Sequence, residues 1–334
     1  MKEYDINILF TSSGRRVSLI KKFRETYLEK NLKGRIITAD LKHNAPSAFY
    51  SNKHYLVPRV TDDNYLAELL NICEIEEIDL VIPLIDTELV LLANNKDLFE
   101  QIGVKLLISS KKLNEIANDK LETYKFFSKN GIATPKVFSE EDLTIENFKF
   151  PLLIKPRHGS SSKGVIKINN KRELDFFKDY IPNPIIQEFI MGIEYTVDVM
   201  TDFNGNIKTI VPRQRIETRA GEVSKGITKK DIEIINAVES VVTKLPGAAG
   251  CITLQCFKKE DGTITFIEIN PRFGGGIPLS IEAGANFPLW TIELCLGATF
   301  NKYELDWKEN LIMLRFDDAV FSESIGYEDK SVNI

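Results

Sequence analysis

From its first apolar run to about residue 110 the chain alternates short β-rich stretches with amphipathic ones. Apolar runs at residues 6–10, 35–39, 80–83 and 104–108 are separated by helix-period segments at 17–29, 65–73 and 88–98. Strands alternating with helices predict a parallel sheet covered on both faces. Asn118-Asp119-Lys120 then reads as a cap for a helix over residues 121–130, which Gly131 closes in the position expected of a left-handed residue. Pro135 forces extended chain, and residues 139–142 read as an acidic loop. An apolar strand over 150–156 follows, ending in Lys155-Pro156. Next come the loop Arg157-His158-Gly159-Ser160-Ser161-Ser162-Lys163-Gly164 and a strand over 165–168, together a hairpin with a mobile lid.

Two more hairpins are marked by their turn residues. Asn204-Gly205 lies between strands at 195–201 and 208–213, and Asp261-Gly262 between strands at 251–258 and 263–270. Both dipeptides predict two-residue type I′ turns. With Asp261-Gly262 as such a turn, Glu260 faces Thr263 and Gln255 faces Glu268, their Cβ atoms roughly 4.5–5.5 Å apart. Period two puts Asn270 on the face of Glu268. The Asn204-Gly205 register likewise sets Arg215 across from Glu194.

Composition narrows the function classes. The 334 residues carry 43 basic and 48 acidic side chains, a formal charge of −5, with 43% hydrophobic residues. Disorder is excluded by the apolar content, and no apolar run approaches the roughly 18 residues needed to cross a bilayer. At roughly 100–200 residues per domain, two or three domains are expected. A pI near 5.5 argues against an all-over nucleic-acid-binding surface. Met1-Lys2-Glu3-Tyr4-Asp5 leads straight into the first strand without a leader pattern, so a cytoplasmic protein is expected. Cys251 and Cys256 fall on opposite faces of one strand, and the four cysteines are read as reduced core residues.

Several stretches carry candidate chemistry. The loop Thr11-Ser12-Ser13-Gly14-Arg15-Arg16 opens a helix and could meet an anion, though it lacks G-x-G-x-x-G. Asp40, Asp86 and Glu88 follow strands at the carboxyl ends where open α/β sheets collect ligands; helix capping is the competing role. Loop 159–164 offers backbone amides and hydroxyls that can cradle phosphate, or is a plain surface turn; it is not a P-loop. Gln255, Glu268 and Asn270 supply oxygens suited to Mg²⁺ alongside nucleotide phosphates, or form a solvated strand face. His43, His54 and His158 lack ligand spacing.

Taken in order, Lys120, Ile154-Lys155-Pro156, loop 159–164, residues 187–195, Leu254-Gln255-Cys256 and Ile267-Glu268-Ile269-Asn270-Pro271-Arg272-Phe273-Gly274-Gly275-Gly276 resemble the ATP-grasp superfamily, specifically a single synthetase unit of the carbamoyl-phosphate synthase large chain. The likeness covers roughly residues 1–297. It implies an α/β and α+β architecture: an N-terminal parallel-sheet domain (residues 1–112) followed by an ATP-grasp fold whose two α+β subdomains (113–190 and 191–334) grip ATP. By matching position, Lys120, Lys155 and loop residues Gly159, Ser160, Ser161, Ser162 and Gly164 would meet phosphates. Gln187, Glu188, Phe189 and Ile190 would meet adenine, and Glu194 the ribose. Gln255, Glu268 and Asn270 would hold Mg²⁺ (or Mn²⁺), and Arg272 would steady the transferring phosphoryl group. These roles suit a reaction that needs positioning and charge neutralisation.

The resemblance has limits. There is one grasp unit and no amidotransferase region, so carbamoyl phosphate synthesis from glutamine is not expected of this chain alone. Residues 212–226 read as a charged loop over the γ-phosphate, with Arg213 and Arg215 holding an anionic substrate and Lys225 joining Arg272 as a catalytic cation; ion pairs with Glu217 or Glu222 are the alternative. The implied activity is an ADP-forming ligase that activates a carboxylate as an acyl phosphate for an amine or thiol. An acyl- or carbamoyl-phosphate-forming kinase and a non-catalytic ATP-binding module are the alternatives. Small-molecule carboxylate and amine substrates, a homodimer, and no nucleic-acid or membrane partner are expected. Trp307, Phe316 and Phe321 are read as packing a closing strand, with polar, unstructured chain beyond about residue 322.

Overall fold

The computed structural model describes residues 6–144, 148–159, 163–322 and 331–333. Its first layer contains β1 (Ile8–Thr11), α1 (Val17–Glu29), β2 (Ile36–Asp40), β3 (Lys53–Leu56), α2 (Tyr65–Ile75), β4 (Leu80–Pro83), α3 (Asp86–Asn94), α4 (Lys96–Gln101) and β5 (Lys105–Leu106). These strands pair in parallel in the order β3-β2-β1-β4-β5. The run Ile8–Thr11 is buried at every position, as a strand covered on both faces must be. Two elements gave no clear signal: the 3-10 turn Pro46–Tyr50 and β3, whose Lys-His-Tyr-Leu alternation is only half-buried. The helical segment read over 88–98 is two helices broken at Asn95.

Helix α5 (Lys111–Asn118), capped by Ser110, was not legible in the pattern and leads into α6 (Lys120–Lys129). Asp119 caps α6 by accepting from the Leu121 and Glu122 amides, and Gly131 ends it at φ +66°. The acidic segment forms a short helix, α7 (Glu140–Thr144), rather than a loop. A small antiparallel sheet follows, made of β6 (Leu152–Pro156), β7 (Ile166–Ile168) and, after α8 (Lys171–Tyr180), β8 (Pro184–Glu188), with β6 in the centre.

The large sheet holds β9 (Ile193–Thr201), β10 (Ile207–Arg219), β11 (Glu222–Thr228), β12 (Gly250–Lys258) and β13 (Ile264–Asn270), with α9 (Ile232–Val242) between β11 and β12. After α10 (Ile277–Glu282) and α11 (Phe287–Cys295), β14 (Ile312–Leu314) completes the order β13-β12-β9-β10-β11-β14. The stretch read as a charged loop is thus a hairpin, turned at Ala220 (φ +50°) and Gly221 (φ +79°). Finally β15 (Ser331–Asn333) pairs antiparallel with β3, in chain expected to lack structure. Of the tail aromatics only Trp307 is buried; Phe316 and Phe321 are 83% and 92% exposed, so they pack no closing strand. Among the described residues no helix is long and apolar enough to cross a membrane.

One apolar core joins the first sheet to the large one. Phe10 meets Phe23 edge-on at 4.9 Å between ring centroids, Phe23 meets Phe273 at 6.0 Å, and Phe273 meets Phe287 at 6.5 Å. Such contacts add about 0.5–1.5 kcal/mol each beyond area burial. The loop after β1 is held from below by Glu88, which accepts from the Leu84 and Ile85 amides, the Tyr65 hydroxyl (2.6 Å) and Ser12 Oγ (3.1 Å). Burial pushes the Glu88 carboxyl above its usual range despite these donors. Replacing Glu88 by Ala strands those donors and is expected to cost about 3 kcal/mol in urea unfolding, with Glu88→Gln costing about half as much; equal midpoints for wild type and Glu88→Ala would refute this.

Candidate active site

The carboxyl ends of β1 and β4 open onto a cavity of about 630 Å³, closed by the large sheet and by the chain after β6. Lys155, near the end of β6, is buried there, and its amine is pushed down to about 8 by burial, with Lys120 acting in the same direction and Glu268 opposing. Lys120 is the first residue of α6. Its Nζ donates to the Gly159 carbonyl at 2.7 Å, and burial lowers its pKa as well. Asp119 serves twice: besides capping α6, it grips Arg157 through Nε and Nη2 at 2.8 and 2.6 Å, fixing the start of the lid loop. Gly159 and Gly164 sit at φ +111° and +71°, where a side chain would be strained. Ser160, Ser161 and Ser162 lie outside the described residues.

Gln255 and Glu268 do face each other, but by a different route from the expected one. At the β12–β13 turn the Gly262 amide donates to the Lys259 carbonyl and the Lys259 amide to the Thr263 carbonyl, with only Gly262 left-handed (φ +84°). This is a three-residue turn with a glycine bulge, not type I′. It shifts the ladder so that Lys258 faces Ile264 and Cys256 faces Phe266. A bulge at Ile267 then shifts it back, and Gln255 faces Glu268. The β9–β10 turn is of the same kind, with only Gly205 left-handed, and its ladder still brings Arg215 to Glu194. Asn270 is buried, and its Oδ1 accepts from Arg272 Nη2 at 3.1 Å. Among the described residues Glu268 makes no side-chain hydrogen bond. An uncommitted carboxylate facing an amide, with a second amide oxygen nearby, fits a hard divalent cation that completes its shell with water and phosphate.

The arginines are mostly spoken for. Arg272 Nη2 lies 2.6 Å from Asp86 of the first domain; burial works against its charge, but Asp86 and Glu268 outweigh it and raise its pKa. Arg213, 1% exposed, binds Asp198 through Nε (2.6 Å) and Nη2 (2.9 Å), and Ser280 Oγ donates to the same carboxylate. Arg215 Nε is 3.1 Å from Glu194 and its Nη groups donate to Thr196 Oγ1 and the Gly221 carbonyl. Burial raises the Glu194 carboxyl, Arg215 holding it back. Lys225 does not join the cavity: it pairs with Glu217 on the exposed side of the hairpin, at 2.7 Å. Gln187 is buried in the small sheet, Glu188 accepts from the Lys136 amide, Phe189 lies under Lys167 Nζ, and none of these or Ile190 lines the cavity. Asp86 was flagged by its place after a strand and Glu222 as a possible ion-pair partner of the arginines; Asp198 and Arg315 carried no signal, because only strand pairing brings them to these arginines and Glu222. His158 lines the cavity with Nδ1 3.1 Å from the Asn118 carbonyl.

Comparison with known proteins agrees with this architecture. Residues 8–107 match the family model of the PylC-like N-terminal domain, and residues 117–276 that of the ATP-grasp domain. The chain carries an ATP-grasp domain behind a PylC-like N-terminal domain. It is 27% identical over 232 residues to the carbamoyl phosphate synthase large chain of Thermoanaerobacter sp. (strain X514), covering 63% of this chain and 21% of that protein. It is 27% identical over 182 residues to the D-alanine–D-alanine ligase of Fusobacterium nucleatum, covering 52% of this chain and 62% of the ligase. The chain thus spans less than two thirds of either relative. The biotin carboxylase domain of Hydrogenobacter thermophilus 2-oxoglutarate carboxylase, solved with MgADP and bicarbonate, superposes with a TM-score of 0.74 at 15% identity, over 92% of this chain and 74% of that one. The ATP-grasp architecture with its preceding parallel sheet is shared.

Two outcomes are expected. Lys155 is cationic below about pH 8 and neutral above, and phosphates favour the cation, so affinity for ADP as probe should fall as pH rises from about 7 to about 9, with proton uptake on binding. Calorimetry in buffers of different ionisation heat checks this, and Lys155→Met should flatten the profile. Asp86→Asn leaves Arg272 without its carboxylate, and should lower the unfolding free energy by about 1–3 kcal/mol while weakening the contact between the first domain and the chain after β13; unchanged hydrogen exchange around residue 272 would count against the clamp.

Proposed function

We propose that this protein is an ATP- and Mg²⁺-dependent ligase that activates a carboxylate as an acyl phosphate for attack by an amine. The observation that carries this is the convergence on one cavity of Lys120 and Lys155 from one side, Gln255, Glu268 and Asn270 from another, and Arg272 between them. The lysines would neutralise phosphate oxygens, with Gly159 and Lys163 beside them in the cavity wall. Glu268, with Gln255 and Asn270, would hold Mg²⁺, which supplies charge neutralisation to the β- and γ-phosphates when bound. Arg272, braced by Asp86, faces the oxygens that gain charge in transfer.

A carboxylate oxygen attacks the γ-phosphorus, the bond to the β–γ bridging oxygen breaks, and ADP is left in the cleft. The amine nitrogen then attacks the acyl carbon, the bond to the phosphate oxygen breaks, and inorganic phosphate departs as the amine sheds a proton. Glu194 would take the ribose side of the nucleotide, its pairing with Arg215 holding it in place, and residues 187–190, which lead from β8 toward Glu194 without lining the cavity, would take the adenine. A curated relative with this kind of chemistry, D-alanine–D-alanine ligase, supports the reading.

The test is ADP release on adding carboxylic acids with and without amines, with hydroxylamine as a trap. Release that needs both acid and amine, or hydroxamate formation from acid alone, supports acyl-phosphate chemistry. Release that stops stoichiometrically at a phosphorylated acid indicates the kinase outcome, and nucleotide binding with no turnover indicates a binding module. Glu268→Gln should stay folded and lose about a hundredfold or more of the Mg²⁺-dependent rate; a folded variant with near-normal activity would remove Glu268 from the site.

A further inference from the structure

Around the substrate side of the cavity Arg272, Arg213, Arg215 and Arg315 each have an internal carboxylate: Asp86, Asp198, Glu194 and Glu222. Arg16 has none. It directly precedes α1 and lines the cavity, and among the described residues its side chain makes no hydrogen bond or ion pair. Burial and the nearby Arg272 push its guanidinium down to about 10, with Glu222 and Asp86 opposing. Glu222 is already taken by Arg315, at 3.1 Å.

The glycine run after β13 shows where Arg16 is seated. A Cβ on Gly275 would lie 2.9 Å from Arg16 Nη1 and 3.3 Å from Glu222 Oε2, the carboxylate that Arg315 holds, and a Cβ on Gly276 only 2.3 Å from Arg213 Nη1. That second nitrogen is the one atom of the Arg213 fork left over by Asp198, and it is buried with no partner. Two guanidinium nitrogens without acceptors thus press on consecutive glycines, one from the first domain and one from β10. The first turn of α1 adds backbone amides that no side chain caps, and it contains no acidic residue. A buried donor such as Arg213 Nη1 costs free energy unless an acceptor meets it, and the half-buried Arg16 stands beside it without one.

We propose that Arg16 and Arg213 Nη1, over Gly275 and Gly276, form the subsite that binds the carboxylate of the acceptor acid. This rests on the ligase reading above and assigns the acid to the seam between the first domain and the large sheet. A carboxylate suits the place because its two oxygens can each accept from a guanidinium. The lysine side of the cavity already supplies the counter-charge for phosphates. Arg215, engaged by Glu194, Thr196 and Gly221, positions the nucleotide side and does not hold the acid.

The test is calorimetric titration of the full chain, saturated with Mg²⁺ and a non-hydrolysable ATP analogue, with acetate, L-alanine and succinate as probes. At least one probe should bind the wild type and lose about tenfold or more in affinity in Arg16→Gln and in Gly275→Ala, with Arg16→Lys intermediate and the analogue's own affinity changed less than about twofold. Thermal melts establish that each variant is folded, and Arg16→Gln, at a partly exposed position, stands even if Gly275→Ala does not fold. The proposal is overturned if no probe binds the wild type, if Arg16→Gln binds the probes as well as wild type, or if it loses the nucleotide analogue instead. Arg16-dependent carboxylate binding without acid-stimulated ADP release would sink the ligase reading and leave the subsite standing. Acid-stimulated release with an unchanged KM in Arg16→Gln would do the reverse.

Discussion

Positive charge crowded around one cavity is the constraint to which the rest of this structure answers. Guanidinium and ammonium groups from three sheets face the same space, and in a partly buried setting each must find a counter-charge or await one. The Arg213–Asp198 pair shows the first outcome: both oxygens of Asp198 accept from the arginine and Ser280 donates a further hydrogen bond, which leaves only Arg213 Nη1 without an acceptor. Asp86 meets Arg272 through one oxygen across the seam between the first domain and the chain after β13. What stays unanswered is therefore informative. Lys155, held down by burial, and Arg16, in no ion pair because Arg315 already holds Glu222, are the two cations left for a ligand under the proposals above.

That arrangement depends on the first domain being fixed against the large sheet. The chain of aromatic contacts from Phe10 through Phe23 and Phe273 to Phe287 makes the two layers share a core, and Phe273 follows Arg272 directly in sequence. Packing of Phe273 thus sets the direction of its neighbour, while Glu88 and Tyr65 set the height of the loop that carries Arg16. The small sheet is tied in differently, through the double use of Asp119 as helix cap and partner of Arg157. Its contribution to the cavity wall mixes apolar residues (Leu153, Pro156 and Val165) with the cations Lys155 and Lys163.

The two hairpins show how far local patterns carry and where they stop. Glycines at 205 and 262 do mark turns, because only glycine takes the left-handed conformation there without strain. The turn type was misread: each loop holds one residue more than type I′, and the type I′ geometry occurs instead at Ala220-Gly221. At β12–β13 the extra residue in the turn is cancelled by the bulge at Ile267, so Gln255 meets Glu268 although neither irregularity was visible in sequence. Bulges arise from packing of the whole sheet against its neighbours, and six or seven residues of one strand do not encode that.

The amino-acid sequence by itself determined the layer plan, because alternating strand and helix periods, caps such as Asp119 and the glycine-closed turns are local properties of the backbone and of side-chain periodicity. It also singled out Lys120, Lys155, Gln255, Glu268, Asn270 and Arg272 as candidates, through the hairpin pairing and the ordered resemblance, and the fold brings all six to one cavity. Only the tertiary structure decided which charges are free. Arg213 and Arg215 look alike in sequence, two apart on one strand, yet Asp198 leaves the first a spare nitrogen and Glu194 with its neighbours occupies the second. Lys225 turns to Glu217, while Arg16, unremarkable in a loop of small residues, reaches the cavity with no partner. Ion pairing is settled by contacts between residues tens to hundreds of positions apart, and those distances exist only once the chain has folded.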